Sequence, residues 1–157
     1  MISDISASAR CINGNCIDGR GTYNYINGNR HTGPFRKGLP HGTGTILFDG
    51  GERYSGSFSG SIIHGRGTYC FANGEIFTGI FENGRMSEGT YYFINGDRYT
   101  GHFFNGRKQG HGAYYYANGY SYIGSWDDDA RNGYGEMYYE GNIVKRGTWK
   151  NGRLKIK

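Results

Sequence analysis

One pentapeptide returns six times along the 157-residue chain. It reads HTGPF from His31, YSGSF from Tyr54, FTGIF from Phe77, YTGHF from Tyr99, YIGSW from Tyr122 and KRGTW from Lys145, in steps of 23, 23, 22, 23 and 23 residues. A fixed period of this size marks a repeat architecture, in which each unit buries its apolar face against its neighbours. The central glycine is the part that needs a reason. Inside a strand, glycine adds backbone entropy to the unfolded chain and no packing surface to the folded one.

Composition narrows the class. There are 30 glycines and only two prolines, with no G-X-Y period, which excludes collagen. Aromatic residues make up 17% of the chain, too many for a disordered polypeptide, and 15 Tyr and 9 Phe favour pleated, half-buried surfaces. No run approaches the roughly 20 apolar residues of a membrane-spanning helix. The start, MISDISASAR, has neither a basic beginning nor an apolar stretch, so it does not read as a signal peptide.

Residues 67–89 show one period. In GTYCF, Tyr69 and Phe71 point one way, and Thr68 and Cys70 the other. ANG follows, and Asn-Gly is a strong two-residue hairpin signal. In EIFTGIF, Phe77, Gly79 and Phe81 share a face, and ENGRMSEG closes the unit. Each period is therefore expected to be strand, tight turn, strand and looser turn, giving consecutive antiparallel hairpins. The tight turns are expected at Asn-Gly 27–28, 73–74, 95–96 and 118–119, with DGG at 49–51 and EGN at 140–142. The looser turns are expected at HGTG from 41, HGRG from 64, QGHG from 109 and NGYG from 132, and MSEG at 86–89 has lost a residue.

The expected fold class is all-β, a single-layer twisted antiparallel sheet. Its motif residues are Tyr54, Gly56 and Phe58; Phe77, Gly79 and Phe81; Tyr99, Gly101 and Phe103; and Tyr122, Gly124 and Trp126. The bare glycine leaves a slot on the ring-bearing face, expected to be covered by rings from neighbouring strands. Offset or edge-to-face ring pairs add about 0.5–1.5 kcal/mol each beyond burial. With strands about 4.8 Å apart, six repeats extend roughly 55–60 Å. One repeat domain is expected over 11–157, after a flexible segment at 1–10.

These motifs resemble the MORN (membrane occupation and recognition nexus) repeat family, whose pattern combines Y-x-G-x-W/F, a glycine-rich turn and a strand ending in D/N-G. YSGSFSGSIIHGRGTYCFANG and YTGHFFNGRKQGHGAYYYANG match it throughout. His31 and Lys145 depart from it at the leading aromatic, Pro34 interrupts the first copy, and the copy at 145 is truncated. The resemblance implies an open, elongated sheet that acts as a non-catalytic scaffold, binding partner proteins and in some members membranes or phospholipid.

Cys11 and Cys16 flank a possible Asn13-Gly14 turn in CINGNC. They are either a disulfide stapling an N-terminal hairpin, with facing residues about 4.5–5.5 Å apart at Cβ, or two free thiols. A disulfide points to a periplasmic or extracellular setting, free thiols to the cytoplasm. Cys70 reads as a small strand residue. His41 and His64 sit in equivalent turns about 10 Å apart and read as turn residues rather than metal ligands, and Asp127–Asp129 lacks the alternation of a calcium loop. No phosphate-loop, dinucleotide or nucleophile-elbow motif occurs in context, so neither cofactor nor catalysis is expected.

Two binding surfaces remain. Tyr92, Tyr115 and Tyr138 recur on the face opposite the motif rings, and read either as a surface for a protein or peptide partner or as packing for the sheet's second side. Lys145, Arg146, Lys150, Arg153, Lys155 and Lys157 make the C-terminus basic, reading either as a solvated, aggregation-blocking end or as a contact for anionic lipid. The net charge of +5 is spread along the chain, which disfavours nucleic acid. Open sheet ends leave room for a homodimer.

Overall fold

The computed structural model describes residues 9–155. They form one open, all-antiparallel sheet with no helix. Its strands are β1 (Arg10–Gly14), β2 (Gly19–Asn24), β3 (Arg30–Arg36), β4 (Leu39–Pro40), β5 (Gly42–Leu47), β6 (Arg53–Ser59), β7 (Ile62–Cys70), β8 (Ile76–Glu82), β9 (Arg85–Tyr92), β10 (Arg98–Phe104), β11 (Arg107–Tyr115), β12 (Tyr120–Asp127), β13 (Ala130–Tyr139), β14 (Asn142–Lys150) and β15 (Arg153–Leu154). Strands follow one another in chain order, with β4 pairing only with β3. By contacts the chain divides into an N-terminal unit, up to Gly74 together with Glu82–Gly84, and a C-terminal unit, Glu75–Phe81 together with Arg85 onwards. Residues 1–8 of the expected flexible segment lie outside the described residues. Arg10, expected in that segment, instead opens β1.

Apart from the tight turn expected at 140–142, which is a two-residue hairpin, the two kinds of turn are the reverse of the sequence expectation. The two-residue hairpins are Lys37-Gly38, Gly60-Ser61, Asn83-Gly84, Asn105-Gly106, Asp128-Asp129, Glu140-Gly141 and Asn151-Gly152, and both residues of each have positive φ. That is the type I′ turn, whose twist matches that of the strands it joins. At 73–74, 95–96 and 118–119 only the glycine is left-handed. There the chain makes a three-residue loop, as where Gly96 N–H donates to Phe93 O (3.1 Å) and Phe93 N–H to Asp97 O (3.0 Å). The HGRG, QGHG and NGYG segments are not turns but lie within β7, β11 and β13. Their first glycines, Gly65, Gly110 and Gly133, have positive φ where the strand bulges against its partner. In β9 the shorter MSEG holds no such residue. Pro34 has no N–H to give, and the β3–β5 ladder stops at Thr32 and continues beyond the break as β4.

Glycine faces glycine across the sheet. Gly21 pairs with Gly33, and Gly44 with Gly56 and Gly56 with Gly67, in the N-terminal unit. Gly89 pairs with Gly101, then Gly112, Gly124, Gly135 and Gly147 follow in the C-terminal unit. One ring lies on every second pair of bare backbones. Tyr54 covers Gly56 and Gly67, Phe77 covers Gly79 and Gly89, Tyr99 covers Gly101 and Gly112, and Tyr122 covers Gly124 and Gly135. The ring comes from the glycine's own strand, two residues earlier, and not from a neighbouring strand as expected. All four rings are fully buried.

Each slot ring is held edge-on by the aromatic four residues later. Centroid distances are 5.2 Å for Tyr54–Phe58, 5.1 Å for Phe77–Phe81, 5.1 Å for Tyr99–Phe103 and 5.3 Å for Tyr122–Trp126. The next repeat's aromatic packs on the other side, as in Phe77–Phe103, Tyr99–Trp126 and Tyr122–Trp149, all at 5.3 Å. The polar tips are satisfied by backbone. Tyr54, Tyr99 and Tyr122 each donate to the carbonyl three residues on, at 3.0–3.2 Å, and Trp126 and Trp149 donate to Gly112 O and Gly135 O.

The Cys11–Cys16 disulfide is present, with Cα atoms 5.9 Å apart. The two cysteines do not face one another across Asn13-Gly14. Cys11 is opposite Tyr23, Gly14 is opposite Gly21, and the chain reverses after Gly14. Cys16 is buried, and its Sγ lies 2.6 Å from where a Cβ on Gly21 would sit. Sulfur thus occupies the place over Gly21 that a ring takes in later repeats.

A Cβ on Gly112 would lie 2.5 Å from Cζ of the immobile Tyr99 ring, although its backbone conformation suits any residue. Gly112→Ala should therefore cost at least the 1–3 kcal/mol typical of overpacking, despite alanine's lower backbone entropy. Gly106→Asn, in open space in a type I′ turn, should cost under about 1 kcal/mol. Urea melts that rank the two the other way round would overturn this account of the slot.

Candidate interaction surface

Outside the buried ladder, the same face carries a second set of rings that are only half-buried. In the N-terminal unit, Phe48 lies 5.8 Å from Tyr69, and Tyr69 lies 4.6 Å from Phe71. In the C-terminal unit, Tyr91, Phe93, Tyr114 and Tyr116 form a chain with centroids 4.6–5.6 Å apart. All seven rings are half-buried. Strand pairing brings them together: Tyr54 is opposite Tyr69, and Tyr99 is opposite both Tyr91 and Tyr114, so buried and half-exposed rings alternate strand by strand.

Carboxylates from the three-residue loops fix the tyrosine tips. Tyr91 donates to Glu75 and Tyr114 to Asp97, both at 2.7 Å. Burial, and then the bonded carboxylate, push both phenols well above their usual pKa, so they stay neutral donors. Burial alone would raise the Asp97 carboxyl, but bonds from Tyr114, Ala117 N–H and Asn95 hold it below its usual value. Two cations line this face of the C-terminal unit. The Lys108 ammonium is 5.5–5.9 Å from the Phe93, Tyr99, Tyr114 and Trp126 rings and 2.9 Å from Asp129. The Arg131 guanidinium is 4.4 Å over Trp149. Alternation put rings such as Tyr69 and Phe71 on one face, but neither cation stood out in sequence, because the residues that meet at Lys108 come from positions 93 to 129.

Tyr92, Tyr115 and Tyr138 do fall in one row on the opposite face, through the cross-strand order Tyr92, Arg98, Tyr115, Ser121, Tyr138. Their availability differs. Tyr92 is 43% exposed, the Arg98 guanidinium covers Tyr115 at 4.1 Å, and Tyr138 donates to Glu136. Of the tail cations, Arg146, Lys150, Arg153 and Lys155 share a side of β14 and β15, Lys145 points to the other, and Lys157 lies outside the described residues. Among the described residues no three His, Cys, Asp or Glu side chains are grouped to hold a metal ion. Asp127–Asp129 is engaged by its neighbours: Asp128 with Arg107, Asp129 with Lys108, and Asp127 with Gln109 and Asn132.

His31 is the exception inside the ladder. It takes the slot position over Gly33 and Gly44, fully buried, edge-on to Phe35 at 5.1 Å and to Phe58 at 4.7 Å. A tyrosine there would donate to the carbonyl three residues on, which is Pro34 O. The shorter imidazole makes no hydrogen bond from either nitrogen. Burial pushes its pKa below the usual 6.5, a shift that the Pro34 carbonyl opposes without cancelling it.

A sheet of consecutive hairpins, locked by paired glycines and edge-on rings, defines a β-repeat protein. The chain belongs to the MORN repeat family, whose model matches residues 17–30, 31–53, 54–76, 77–98, 99–119 and 122–142. Among solved structures, the TCP domain of SAS-4 (dCPAP) from Drosophila melanogaster, in complex with a proline-rich motif of Ana2, shares the fold with a TM-score of 0.54 and 19% identity, over 87% of this chain and 76% of that one. The TCP10 domain of Danio rerio CPAP, in complex with a STIL peptide, aligns with a TM-score of 0.34 and 14% identity over 84% and 75% of the two chains. No curated protein sequence matches the chain significantly.

Because the folded His31 binds a proton less readily than the unfolded one, its contribution to stability is complete above about pH 6.5 and is lost as pH falls below that value. His31→Tyr should remove this acid sensitivity and add roughly 1 kcal/mol by satisfying the buried polar group. Thermal melts of both proteins between neutral and mildly acidic pH would show the two curves diverging; parallel curves would count against the assignment.

Proposed function

We propose that the chain is a non-catalytic scaffold that docks extended segments of a partner protein on its half-exposed aromatic rings, each unit presenting its own set. The observation that carries this reading is the set of touching, half-exposed rings on a face without a second layer: Phe48, Tyr69 and Phe71 in one unit, and Tyr91, Phe93, Tyr114 and Tyr116 in the other. Rigid rings with polar tips are favoured anchors because they give large contact area at low entropy cost. The Drosophila TCP domain, which shares this fold, is in complex with a proline-rich motif, a precedent for a peptide partner. The row of Tyr92, Tyr115 and Tyr138 on the opposite face is the competing surface. A variant carrying Phe71→Ser, Phe93→Ser and Tyr116→Ser should lose a captured partner at least tenfold while still melting cooperatively. The variant Tyr92→Ser, Tyr115→Ser and Tyr138→Ser should retain it, and the opposite pattern would move the site to the other face.

A second reading, contact with an anionic membrane surface, is supported by Arg146, Lys150, Arg153 and Lys155 sharing one side of the C-terminal strands. On this reading, co-sedimentation with vesicles rich in anionic lipid should be strong at low salt and fall away as salt screens the charges. Absence of binding at low salt would remove it.

A further inference from the structure

Strands β1–β7 contain six arginines, at 10, 20, 30, 36, 53 and 66, and no aspartate or glutamate. The carboxylates of this part of the chain sit in loops. Asp18 accepts from Lys37 N–H, Asp49 lies against Gly28, and Glu52 is beside Tyr69. The strands on the face opposite the aromatic rings are therefore basic and free of acids across β1, β2, β3, β5, β6 and β7.

Register arranges that face into rows. One row runs Arg10, Asn24, Arg30, Leu47, Arg53, Cys70 across β1, β2, β3, β5, β6 and β7. Its arginines recur at every second strand, and all three are exposed. None makes an ion pair among the described residues; Arg30 bonds Asn24 and Arg53 approaches Cys70 Sγ at 3.8 Å. The adjacent row is all hydroxyl: Thr22, Thr32, Thr45, Ser55 and Thr68. Thr22 bonds Thr32 at 3.1 Å, and Thr45 bonds Ser55 at 3.0 Å. A hydroxyl has one hydrogen to donate and two lone pairs, so each bonded pair keeps a donor for a further partner.

The spacing selects an occupant. Every second strand means about 9.6 Å between the backbone positions of successive arginines. An extended polyproline-like chain rises about 3.1 Å per residue, so side chains three residues apart recur at about 9.3 Å. Arginine's fork pairs bidentately with a carboxylate. We propose that this face of the N-terminal unit docks an extended acidic peptide, with carboxylates at three-residue intervals on Arg10, Arg30 and Arg53 and its backbone along the hydroxyl row. The site uses none of the aromatic stripe, so it stands or falls separately from that surface.

The test is fluorescence anisotropy with the full chain and two labelled peptides of equal composition, both built of glutamate, serine and proline. One carries glutamate at every third position, and the other carries the same glutamates in a block. The spaced peptide should bind more tightly, and binding should weaken with salt. Arg30→Gln and Arg53→Gln should each weaken it about five-fold, the factor that corresponds to 1 kcal/mol, and the Glu variants should weaken it further. All should keep the wild-type circular dichroism. The variant with serine at 71, 93 and 116 should bind the spaced peptide as wild type does, even if it loses the partner of the aromatic stripe. Equal affinity for the two peptides, or indifference to the Arg30 and Arg53 changes in folded protein, would overturn the proposal. So would tighter, Arg30-dependent binding to anionic vesicles or duplex DNA, which would assign the face to a different class of partner.

Discussion

The structure depends on one contact, an aromatic ring lying directly on a pair of facing glycines. A single sheet has no second layer, so its apolar residues must bury themselves against the sheet itself. Removing both Cβ atoms from adjacent strands opens a depression one ring wide. Tyr54, Phe77, Tyr99 and Tyr122 fill such depressions completely. Once flat on the backbone, each ring presents its edges, which is where the aromatic four residues later and the aromatic of the next repeat make T-shaped contacts. Loss of glycine at either strand lifts the ring and breaks the chain of contacts on both sides of it. The residue that normally weakens a strand is here what gives the sheet a core.

The ends and irregularities obey the same constraint. Over Gly21 the ring is replaced by the buried sulfur of Cys16. Over Gly33 and Gly44 it is replaced by His31, which fits the space but leaves two nitrogens without partners. At Lys145 no ring is present, and Arg131 and Leu154 lie instead beside Trp149. Because all the slot rings take one side, the two faces differ in chemistry. One carries the slot rings and carboxylate-tethered phenols, and the other carries hydroxyls, the row of Tyr92, Tyr115 and Tyr138, and, in the N-terminal unit, arginines without an ion pair among the described residues.

Much of this was legible in the sequence, and the errors have a common cause. Alternation placed Tyr54, Gly56 and Phe58 on one face correctly, because a strand's side-chain period of two needs only local information. The choice between two Asn-Gly dipeptides went wrong. Asn73-Gly74 and Asn83-Gly84 look alike, yet only the second is the two-residue hairpin with both residues left-handed. The distinction comes from register: a one-residue slip would turn the rings away from the glycines. The same blindness placed Cys11 opposite Cys16, where the true facing residue is Tyr23. Tyr92, Tyr115 and Tyr138 were expected as a row and are one, but Arg98 lies over the second and Glu136 accepts from the third, neighbours set by cross-strand pairing.

The sequence by itself determined the period, the all-β class and the shared face of glycine and ring, since each follows from spacing along the chain, and its recurring motif matches the MORN family model. Only the tertiary structure decided which ring covers which glycine and which dipeptide turns. It alone set Lys108 among four rings and aligned Arg10, Arg30 and Arg53 in one row. These depend on pairing between strands, where residues about twenty positions apart become neighbours, and that pairing is settled by the fit of rings onto bare backbone across the whole sheet.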